Sequence, residues 1–259
     1  MKYISTEDPL AVAAVEAIHS GNAEALKRLL AENPFLATVR LGGATSCNPC
    51  EMSRTLLHVV TDWPGHYPNG PETVAALVAA GADVNARFEG PHTETPLHWA
   101  ASSDDVAVLD ALLDHGADIE APGAVIGGGT PIADAAAFGQ WKAARRLIER
   151  GAKTSLWEAA ALGLMNRVEQ HFSGTPLEQW SPRPSQPADA APDEVTHAFW
   201  CACHGGQQQV AEFLLQRAAN INWVVYDNLT PLGAARRSGA NALVAWLIHR
   251  GAKATEELC

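Results

Sequence analysis

Residues 95–101 read Thr95-Pro96-Leu97-His98-Trp99-Ala100-Ala101, and this heptapeptide returns with changes in three other parts of the chain. An apolar stretch and a Gly-Ala pair follow each copy, and these pairs begin at residues 81, 116, 151 and 251. The first two steps are 35 residues each, and the last step of 100 residues holds three units of about 33. A fixed period of this length indicates a repeat array whose units stack on one another. The other copies are Thr55-Leu56-Leu57-His58, Thr130-Pro131-Ile132-Ala133-Asp134-Ala135-Ala136 and Thr230-Pro231-Leu232-Gly233-Ala234-Ala235.

Each unit carries the signals of two short helices. The Thr hydroxyl is suited to cap the first helix, and Pro fits its first position, where no backbone N–H is needed. Val108, Leu109 and Leu112 follow at helical spacing, which predicts a second helix with one buried face. A glycine such as Gly116 permits the left-handed conformation that ends this second helix.

This pattern resembles the ankyrin repeat, whose signature is T-P-L-H-x-A at a period of about 33 residues. The resemblance implies an all-α fold, an ankyrin-repeat solenoid of about seven helix-pair units with short finger hairpins, and we expect residues 1–259 to form a single domain. The first unit has lost Thr-Pro, which suits a terminal repeat with a polar outer face. The expected units lie at approximately 10–38, 53–86, 93–120, 128–153, 154–174, 195–222 and 228–257, with a Pro-rich insertion at 175–194.

The charge balance limits the kinds of partner. The chain carries 29 Asp and Glu against 18 Lys and Arg, a formal net charge of −11 at pH 7. Such a balance argues against a surface that neutralises nucleic-acid phosphates or docks on an anionic membrane. The N-terminal residues MKYISTEDPL lack the pattern of an export signal, and no apolar run is long enough to span a bilayer. We therefore expect a cytoplasmic protein that binds neither nucleic acid nor membranes.

Five cysteines without an export signal indicate reduced thiols rather than a disulfide framework. Cys47 and Cys50 have the spacing of a metal or redox pair, but no second pair of this kind accompanies them, and their role is left open. Cys201 and Cys203 fall on a predicted helix, where two residues so spaced point in different directions. We therefore predict no metal site and no cofactor.

Three departures from the plain repeat stand out, because insertions of this kind concentrate on binding faces. The first is the aromatic and Pro-rich run 62–71, which lengthens the turn of the second unit by five residues relative to the third. The second is a pair of long fingers at 87–94 and 122–129. The third is the Pro-rich run 174–194, which we expect to be a mobile linker or flap without helix or central strand.

Two neighbouring units carry an acidic residue at the position after the Thr-Pro-Leu-His motif, which in ankyrin repeats faces the concave groove. These residues are Asp134 of the fourth unit and Glu158 of the fifth, where Thr154-Ser155-Leu156-Trp157-Glu158 is aligned with the motif. Neighbouring helices pack about 8–10 Å apart, so the two carboxylates are candidates for an acid/base pair beside Trp99. Burial beside a like charge would raise the pKa of one of them. The alternative is that both are solvated groove positions or a charge complement to a basic partner.

The histidines of the motif, His58 and His98, are expected to tie neighbouring repeat loops together by hydrogen bonds. Candidates for ligand contact come instead from the insertion, the fingers and the first helices. Trp63, Tyr67 and Trp99 are expected to line a pocket beside the two acids. The predicted binding residues are Asp62, Trp63, His66, Tyr67, Phe88, His92, Glu94, Trp99 and Phe138.

The favoured function is a protein-binding scaffold that uses the concave groove and the finger loops, which is what the ankyrin resemblance implies. The acidic balance then predicts a protein partner with a basic or mixed surface patch. The alternative is a small-molecule-binding or enzymatic protein, with Asp134 and Glu158 as the acid/base pair. No recognisable enzyme motif is present, so catalysis is left open, and the pattern predicts no oligomeric state. An antitoxin-like or immunity-type role would be a special case of protein binding.

Overall fold

The computed structural model describes residues 3–42, 52–173 and 193–258. The chain folds into two compact units, Met1–Ala152 and Lys153–Cys259, which we call unit 1 and unit 2. The pair Cys47 and Cys50 lies outside the described residues, as does the predicted Pro-rich insertion up to residue 192.

Unit 1 contains four described helix pairs: α1 Pro9–His19 with α2 Ala23–Glu32, α3 Leu56–Thr61 with α4 Gly70–Ala79, α5 Pro96–Ser102 with α6 Val106–Asp114, and α7 Pro131–Ala137 with α8 Trp141–Glu149. The first helices of the pairs pack against one another in chain order, and so do the second helices. Small and branched side chains fill these contacts, and Ala100, Leu109 and Leu147 are fully buried. Small residues let the helices approach closely, so each pair is supported by the next.

Unit 2 contains three further described pairs: α9 Leu156–Leu162 with α10 Met165–Phe172, α11 Glu194–His204 with α12 Gln208–Leu215, and α13 Pro231–Arg237 with α14 Asn241–His249. Helix α11 packs against both α9 and α13. The Pro-rich insertion was predicted to extend to residue 194, which is two residues too far. The Asp193 side chain caps α11 by accepting from the Thr196 N–H at 2.7 Å, and Glu194 begins the helix. With unit 1, the described pairs number seven, which confirms the prediction of about seven.

The described helices are short, and the longest have 11 residues. Isolated helices of this length are marginal in water, so their stability comes from packing along each unit. Across residues 3–42, 52–173 and 193–258, no helix is both long and apolar enough to cross a membrane.

Two histidines tie successive repeats of unit 1 together. In α5, the Nδ1 atom of His98 accepts a hydrogen bond from the Thr95 N–H at 3.1 Å, and its Nε2–H donates to the Gly129 carbonyl at 3.3 Å. His58 makes the same links in α3, where Nε2–H donates to the Glu94 carbonyl at 3.2 Å. Burial lowers the pKa of His58 to about 3 and the pKa of His98 to about 4, so both rings are neutral near pH 7. The structural role predicted for these histidines is confirmed.

A small sheet in unit 1 was not predicted from the sequence. Strand β1, Tyr3–Ile4, pairs in parallel with β2, Arg40–Gly42, and β2 pairs antiparallel with β3, Ser53–Arg54. A single bridge then joins Ser53 to Glu89, so the sheet reaches the finger 87–94.

Arg40 is a buried charge that holds this sheet to the finger. The residue is 2% exposed, and its guanidinium donates to the Ser53 hydroxyl at 2.6 Å, the Ser53 carbonyl at 2.9 Å and the Arg87 carbonyl at 2.7 Å. The same guanidinium lies 3.0 Å from the Glu89 carboxylate. A planar group with several fixed donors satisfies these acceptors at once.

We expect Arg40→Met to lower the free energy of unfolding by about 2–4 kcal/mol, because it removes the guanidinium donor from the Ser53 and Arg87 carbonyls and the cation beside Glu89. The matched control is Lys27→Met, which removes a surface charge paired with Glu24 and should cost less than about 1 kcal/mol. Urea unfolding followed by circular dichroism makes the comparison. Equal losses in the two variants would show that Arg40 is not an internal link.

Candidate functional site

The insertion in the turn between α3 and α4, residues 62–69, is fixed to the helix pair that precedes it. The Tyr67 ring stacks on His19 of α1, with the centroids 4.3 Å apart and 17° between the planes. The side-chain amide of Asn69 donates to the Gly21 carbonyl at 2.8 Å. One side of the insertion is therefore anchored on α1 and on the turn that follows it.

The other side of the insertion is fixed to the third helix pair by His66. Its backbone N–H donates to the Asp105 carboxylate at 2.8 Å, and its Nε2 lies 2.9 Å from the Ser103 carbonyl. Asp62 forms an ion pair with Arg54 of β3. The polar side chains of the insertion thus contact the protein itself, and ligand binding by them stays a prediction.

Trp63 differs from the rest of the insertion, because 76% of its surface is exposed. The three residues expected to form a pocket wall have different neighbours: Trp63 faces solvent, Tyr67 stacks on α1, and Trp99 belongs to a cluster beneath the finger. Phe138 follows α7 and is 49% exposed. Of the predicted binding aromatics in unit 1, Trp63 and Phe138 are the ones most open to contact.

Phe88 of the finger 87–94 and Trp99 of α5 pack with two histidines, His92 of the same finger and His58 of α3. The Phe88 ring centroid lies 5.4 Å from that of Trp99 and 5.6 Å from that of His92. Trp99 and His58 meet edge to face at 4.9 Å. Such tilted arrangements are favourable for aromatic rings. The cluster brings together three predicted binding residues, Phe88, His92 and Trp99.

The Glu94 carboxylate lies beside the polar groups of this cluster. The residue is 3% exposed, and the indole N–H of Trp99 donates to its Oε2 at 3.0 Å. The Nδ1 atom of His92 lies 2.6 Å from the same oxygen. The Glu94 carbonyl also closes the finger by accepting from the Phe88 N–H at 2.7 Å. The indole N–H of Trp99 matters here because an unpaired buried charge costs several kcal/mol.

Asp134 is the second buried carboxyl group of this region, with 0% exposure. Its Oδ1 accepts from the Ile126 N–H at 3.3 Å, whereas Oδ2 receives no hydrogen bond within the described part of the chain. Burial, the charge of Glu94 and a hydrogen bond with Glu94 raise the pKa of Asp134 to about 8. Asp134 therefore keeps its proton at neutral pH and donates it in a hydrogen bond to Glu94.

Glu158 has a structural contact that the sequence analysis did not anticipate. The residue is 2% exposed, and its Oε2 accepts from the Ser155 N–H at 2.6 Å and from the Ser155 hydroxyl at 2.9 Å. This is a capping box, in which Glu158 takes the place in α9 that His98 takes in α5. The residue that caps α9 is Ser155, whereas the sequence alignment had placed Thr154 at this position. Asp134 and Glu158 belong to different units, and an acid/base pair between them stays a prediction.

Unit 2 contains an aromatic cluster that the sequence analysis missed. The His197 ring centroid lies 5.9 Å from Trp157, 6.2 Å from Trp223 and 5.9 Å from Tyr226. The Tyr226 hydroxyl lies 3.0 Å from His197 Nε2, and burial lowers the pKa of His197 to about 4. Trp223 and Tyr226 lie between helices, where the repeat signature carries no information, so the motif could not reveal the cluster.

Cys201 and Cys203 of α11 are buried, and burial raises the pKa of both thiols well above the usual range. Thiols in such surroundings are unreactive. Within the ranges that the structure describes, no three His, Cys, Asp or Glu residues are grouped so as to hold a metal ion.

Comparison with known protein families identifies the repeat. The family profile described as ankyrin repeats in three copies matches residues 66–157, and the profile of a single ankyrin repeat matches residues 197–224. The chain belongs to the ankyrin repeat proteins, and the predicted all-helical ankyrin array is confirmed.

Two relatives are much longer than this chain. An ankyrin repeat and KH domain-containing protein of Caenorhabditis briggsae is 29% identical over 194 residues, which cover 70% of this chain and 7% of that protein. Rabankyrin-5 of Mus musculus is 28% identical over 234 residues, which cover 84% of this chain and 19% of that protein. The chain thus spans less than a fifth of the length of either relative. Among solved structures, the human ASB11 ankyrin repeat domain aligns with a TM-score of 0.48 and 19% identity, covering 93% of this chain and 98% of that one.

The proton on Asp134 makes the stability of the protein depend on pH. A carboxyl group whose pKa rises on folding contributes stability that is complete below its unfolded pKa, near about 4, and is lost as pH rises through a folded pKa of about 8. Asp134→Asn keeps an N–H donor for Glu94 and cannot ionise. We expect the wild type to lose stability relative to this variant between roughly pH 5 and pH 8, by up to about 1.4 kcal/mol per pH unit. Urea unfolding across this range measures the difference, and parallel curves would show that folding does not raise this pKa.

Proposed function

We propose that this protein is a protein-binding module that docks its partner on unit 1, with Trp63 of the insertion 62–69 as the anchor. Ankyrin repeats typically mediate interactions between proteins, and the family is established for this chain. The observation that carries the proposal is a tryptophan with 76% of its surface exposed, on a loop that is bound on both sides.

Exposure of Trp63 is costly unless a partner covers it. Burying a large apolar side chain stabilises by about 1.5–3 kcal/mol, and the free protein does without this contribution. Tryptophan is enriched among the residues that dominate interface energies, where it fills a pocket in the partner. Because the insertion is already fixed to α1 and to the third helix pair, binding orders little additional backbone.

The charge of unit 1 favours a particular kind of partner. Residues 1–152 contain 19 Asp and Glu against 10 Lys and Arg, whereas residues 153–259 contain 10 against 8. An acidic surface attracts basic partners and repels acidic ones. The proposal therefore includes a protein partner with a basic or mixed patch, met in the cytoplasm, rather than nucleic acid or a membrane.

The concave groove and the finger loops, which the sequence favoured, are the second surface for the same function. Phe138, which follows α7, is exposed and is available to a partner. Phe88, His92 and Glu94 of the finger 87–94 already contact one another. The insertion therefore offers the more accessible aromatic anchor.

The alternative of a small-molecule or acid–base function stays a prediction. Asp134 holds a proton at neutral pH, as a general acid must, but at 0% exposure it is closed to a substrate. Glu158 is occupied by the helix cap. These contacts favour protein binding over chemistry at the two carboxyl groups.

Replacing Trp63 by Ala should weaken partner binding about 30-fold or more, which corresponds to an anchor of about 2 kcal/mol. The partner is identified by crosslinking and mass spectrometry in extract from the source cells, and Kd is then measured with purified proteins by isothermal titration calorimetry. The matched control is Ile248→Ala, because Ile248 is 52% exposed on α14 and should not affect Kd. An unchanged Kd for a folded Trp63→Ala variant would contradict the proposal.

A further inference from the structure

We infer that the aromatic cluster of unit 2 is a second docking surface, and that it takes a proline-rich segment of a partner protein in the polyproline II conformation. The cluster consists of Trp157, His197, Trp223 and Tyr226, and we call it the aromatic surface. This inference goes beyond the docking proposed for unit 1, and it does not depend on Trp63 being an anchor there.

Three successive repeats build the aromatic surface. Trp157 lies in α9 and His197 in α11, whereas Trp223 and Tyr226 lie in the finger 220–229 that precedes α13. The His197 ring is central, because its centroid lies 5.9 Å, 6.2 Å and 5.9 Å from those of the other three rings. Tyr226 is 46% exposed, and the other three residues are half-buried. The four rings therefore form one patch that is partly accessible to solvent.

The finger 220–229 holds its two rings in fixed positions. Val225 and Leu229 pair with each other through N–H to carbonyl bonds of 3.1 Å and 2.9 Å. The indole N–H of Trp200, a residue that is 3% exposed, donates to the Leu229 carbonyl at 3.0 Å. The Trp200 ring also packs edge to face on Tyr226, with the centroids 5.1 Å apart. A ligand therefore meets rings that are already positioned, and its binding orders little additional backbone.

Trp157 and Trp223 supply hydrogen-bond donors that the protein itself leaves unused. In the part of the chain that the structure describes, neither indole N–H donates to an acceptor, whereas that of Trp200 does. An indole nitrogen donates but does not accept. The ligand that completes these bonds must therefore supply acceptors.

A proline-rich segment carries the complementary groups. Proline has a carbonyl but no N–H, and the polyproline II helix forms no internal hydrogen bonds, so its carbonyls are free to accept. Proline rings also dock on aromatic side chains in other modules that bind such segments. The two unused donors and the aromatic faces thus match a ligand that offers acceptors and apolar rings.

The spacing of the rings argues against an ammonium ligand. A cage around such a group makes contacts of about 3.5–4 Å on each side, so its facing rings lie about 7–8 Å or more apart. The centroids of Trp223 and Tyr226 are 6.4 Å apart, and those of Trp157 and His197 are 5.9 Å apart. The rings contact one another and enclose no space for a cation, so a ligand must lie on their outer faces.

Charge also favours an uncharged ligand. The aromatic surface is neutral near pH 7, since burial lowers the pKa of His197 to about 4. Asp227 of the same finger is neutralised by an ion pair with Arg237. Residues 153–259 contain 10 acidic and 8 basic residues, whereas unit 1 is strongly acidic. Proline-rich segments need no charge to bind, so they suit unit 2 better than the basic partner proposed for unit 1.

The chain's own Pro-rich run, 174–192, is a poorer match than a segment of a partner. Residues three apart lie on one face of a polyproline II helix. In that conformation the five prolines of this run would fall on three different faces: Pro176 with Pro182, Pro184 with Pro187, and Pro192 alone. A partner segment with prolines at every third position offers one continuous face.

NMR of the full chain with ¹⁵N-labelled tryptophan tests the inference. The probe is decaproline with blocked termini, and the control peptide is a blocked decamer of alternating Gly and Ser. Decaproline should shift the indole signals of Trp157 and Trp223, while the signal of Trp99 stays constant because its N–H is bonded to Glu94. Unshifted Trp157 and Trp223 signals with excess decaproline would overturn the inference, as would equal shifts with the control peptide.

Variants that remove the donors test the hydrogen bonds. Trp157→Phe and Trp223→Phe together keep a ring at each position but lose both N–H groups, so Kd for decaproline should rise about tenfold or more. Each variant alone should raise Kd about threefold, assigns one signal, and decides the matter if the double variant does not fold. The matched control is Trp246→Phe on α14, outside the aromatic surface, which should leave Kd unchanged. Wild-type affinity in a folded double variant would contradict the inference.

A further variant separates the partner from the chain's own run. Residues 174–192 are replaced by a Gly-Ser segment of equal length. The indole signals of Trp157 and Trp223 should keep their positions without peptide, and Kd for decaproline should stay the same. A shift of both signals together with a Kd lowered about tenfold would mean that the chain's own run occupies the surface, and it would overturn the inference of a partner segment.

Discussion

The buried carboxylate of Glu94 is the constraint on which the arrangement of unit 1 depends. Its carbonyl accepts from His58 of the preceding helix pair, its side chain accepts from Trp99 of its own pair, and Asp134 of the following pair shares a proton with it. A carboxylate so deeply buried must have these partners, since leaving it unpaired costs several kcal/mol. Three successive repeats are thereby held in one relation to each other.

Uncharged histidine rings make similar hydrogen bonds between successive repeats. His58 and His98 each accept from the cap of their own helix and donate to the carbonyl that precedes the next first helix. In α9 the position equivalent to these histidines is filled by Glu158, which accepts from Ser155 but has no ring N–H to donate onward. A side chain at this position is therefore first a structural element, and its charge alone does not indicate chemistry.

Whether a structural feature could be predicted from the sequence depends on whether its sequence signal is local. The helix pairs were predictable because their caps, their apolar spacing and their closing glycines are local, as at Thr95 and Gly116. The sequence could not predict that Glu94 is the partner of Asp134, because Glu94 comes from a finger whose side-chain directions depend on the neighbouring repeat. The fifth unit was aligned to Thr154 because two adjacent hydroxyl residues fit a cap equally well, and only the folded helix distinguishes them. The small sheet escaped prediction because two of its strands have two residues each.

The central claim is that Asp134 shares a proton with Glu94 inside the folded protein. Carboxyl ¹³C NMR of aspartate-labelled protein tests it most directly, with the Asp134 signal assigned by its absence in Asp134→Asn. The account predicts that this signal titrates with a midpoint near pH 8, while exposed aspartates titrate near about pH 4. A midpoint for Asp134 near that of the exposed residues would mean that two separate carboxylates lie there, and it would contradict the account.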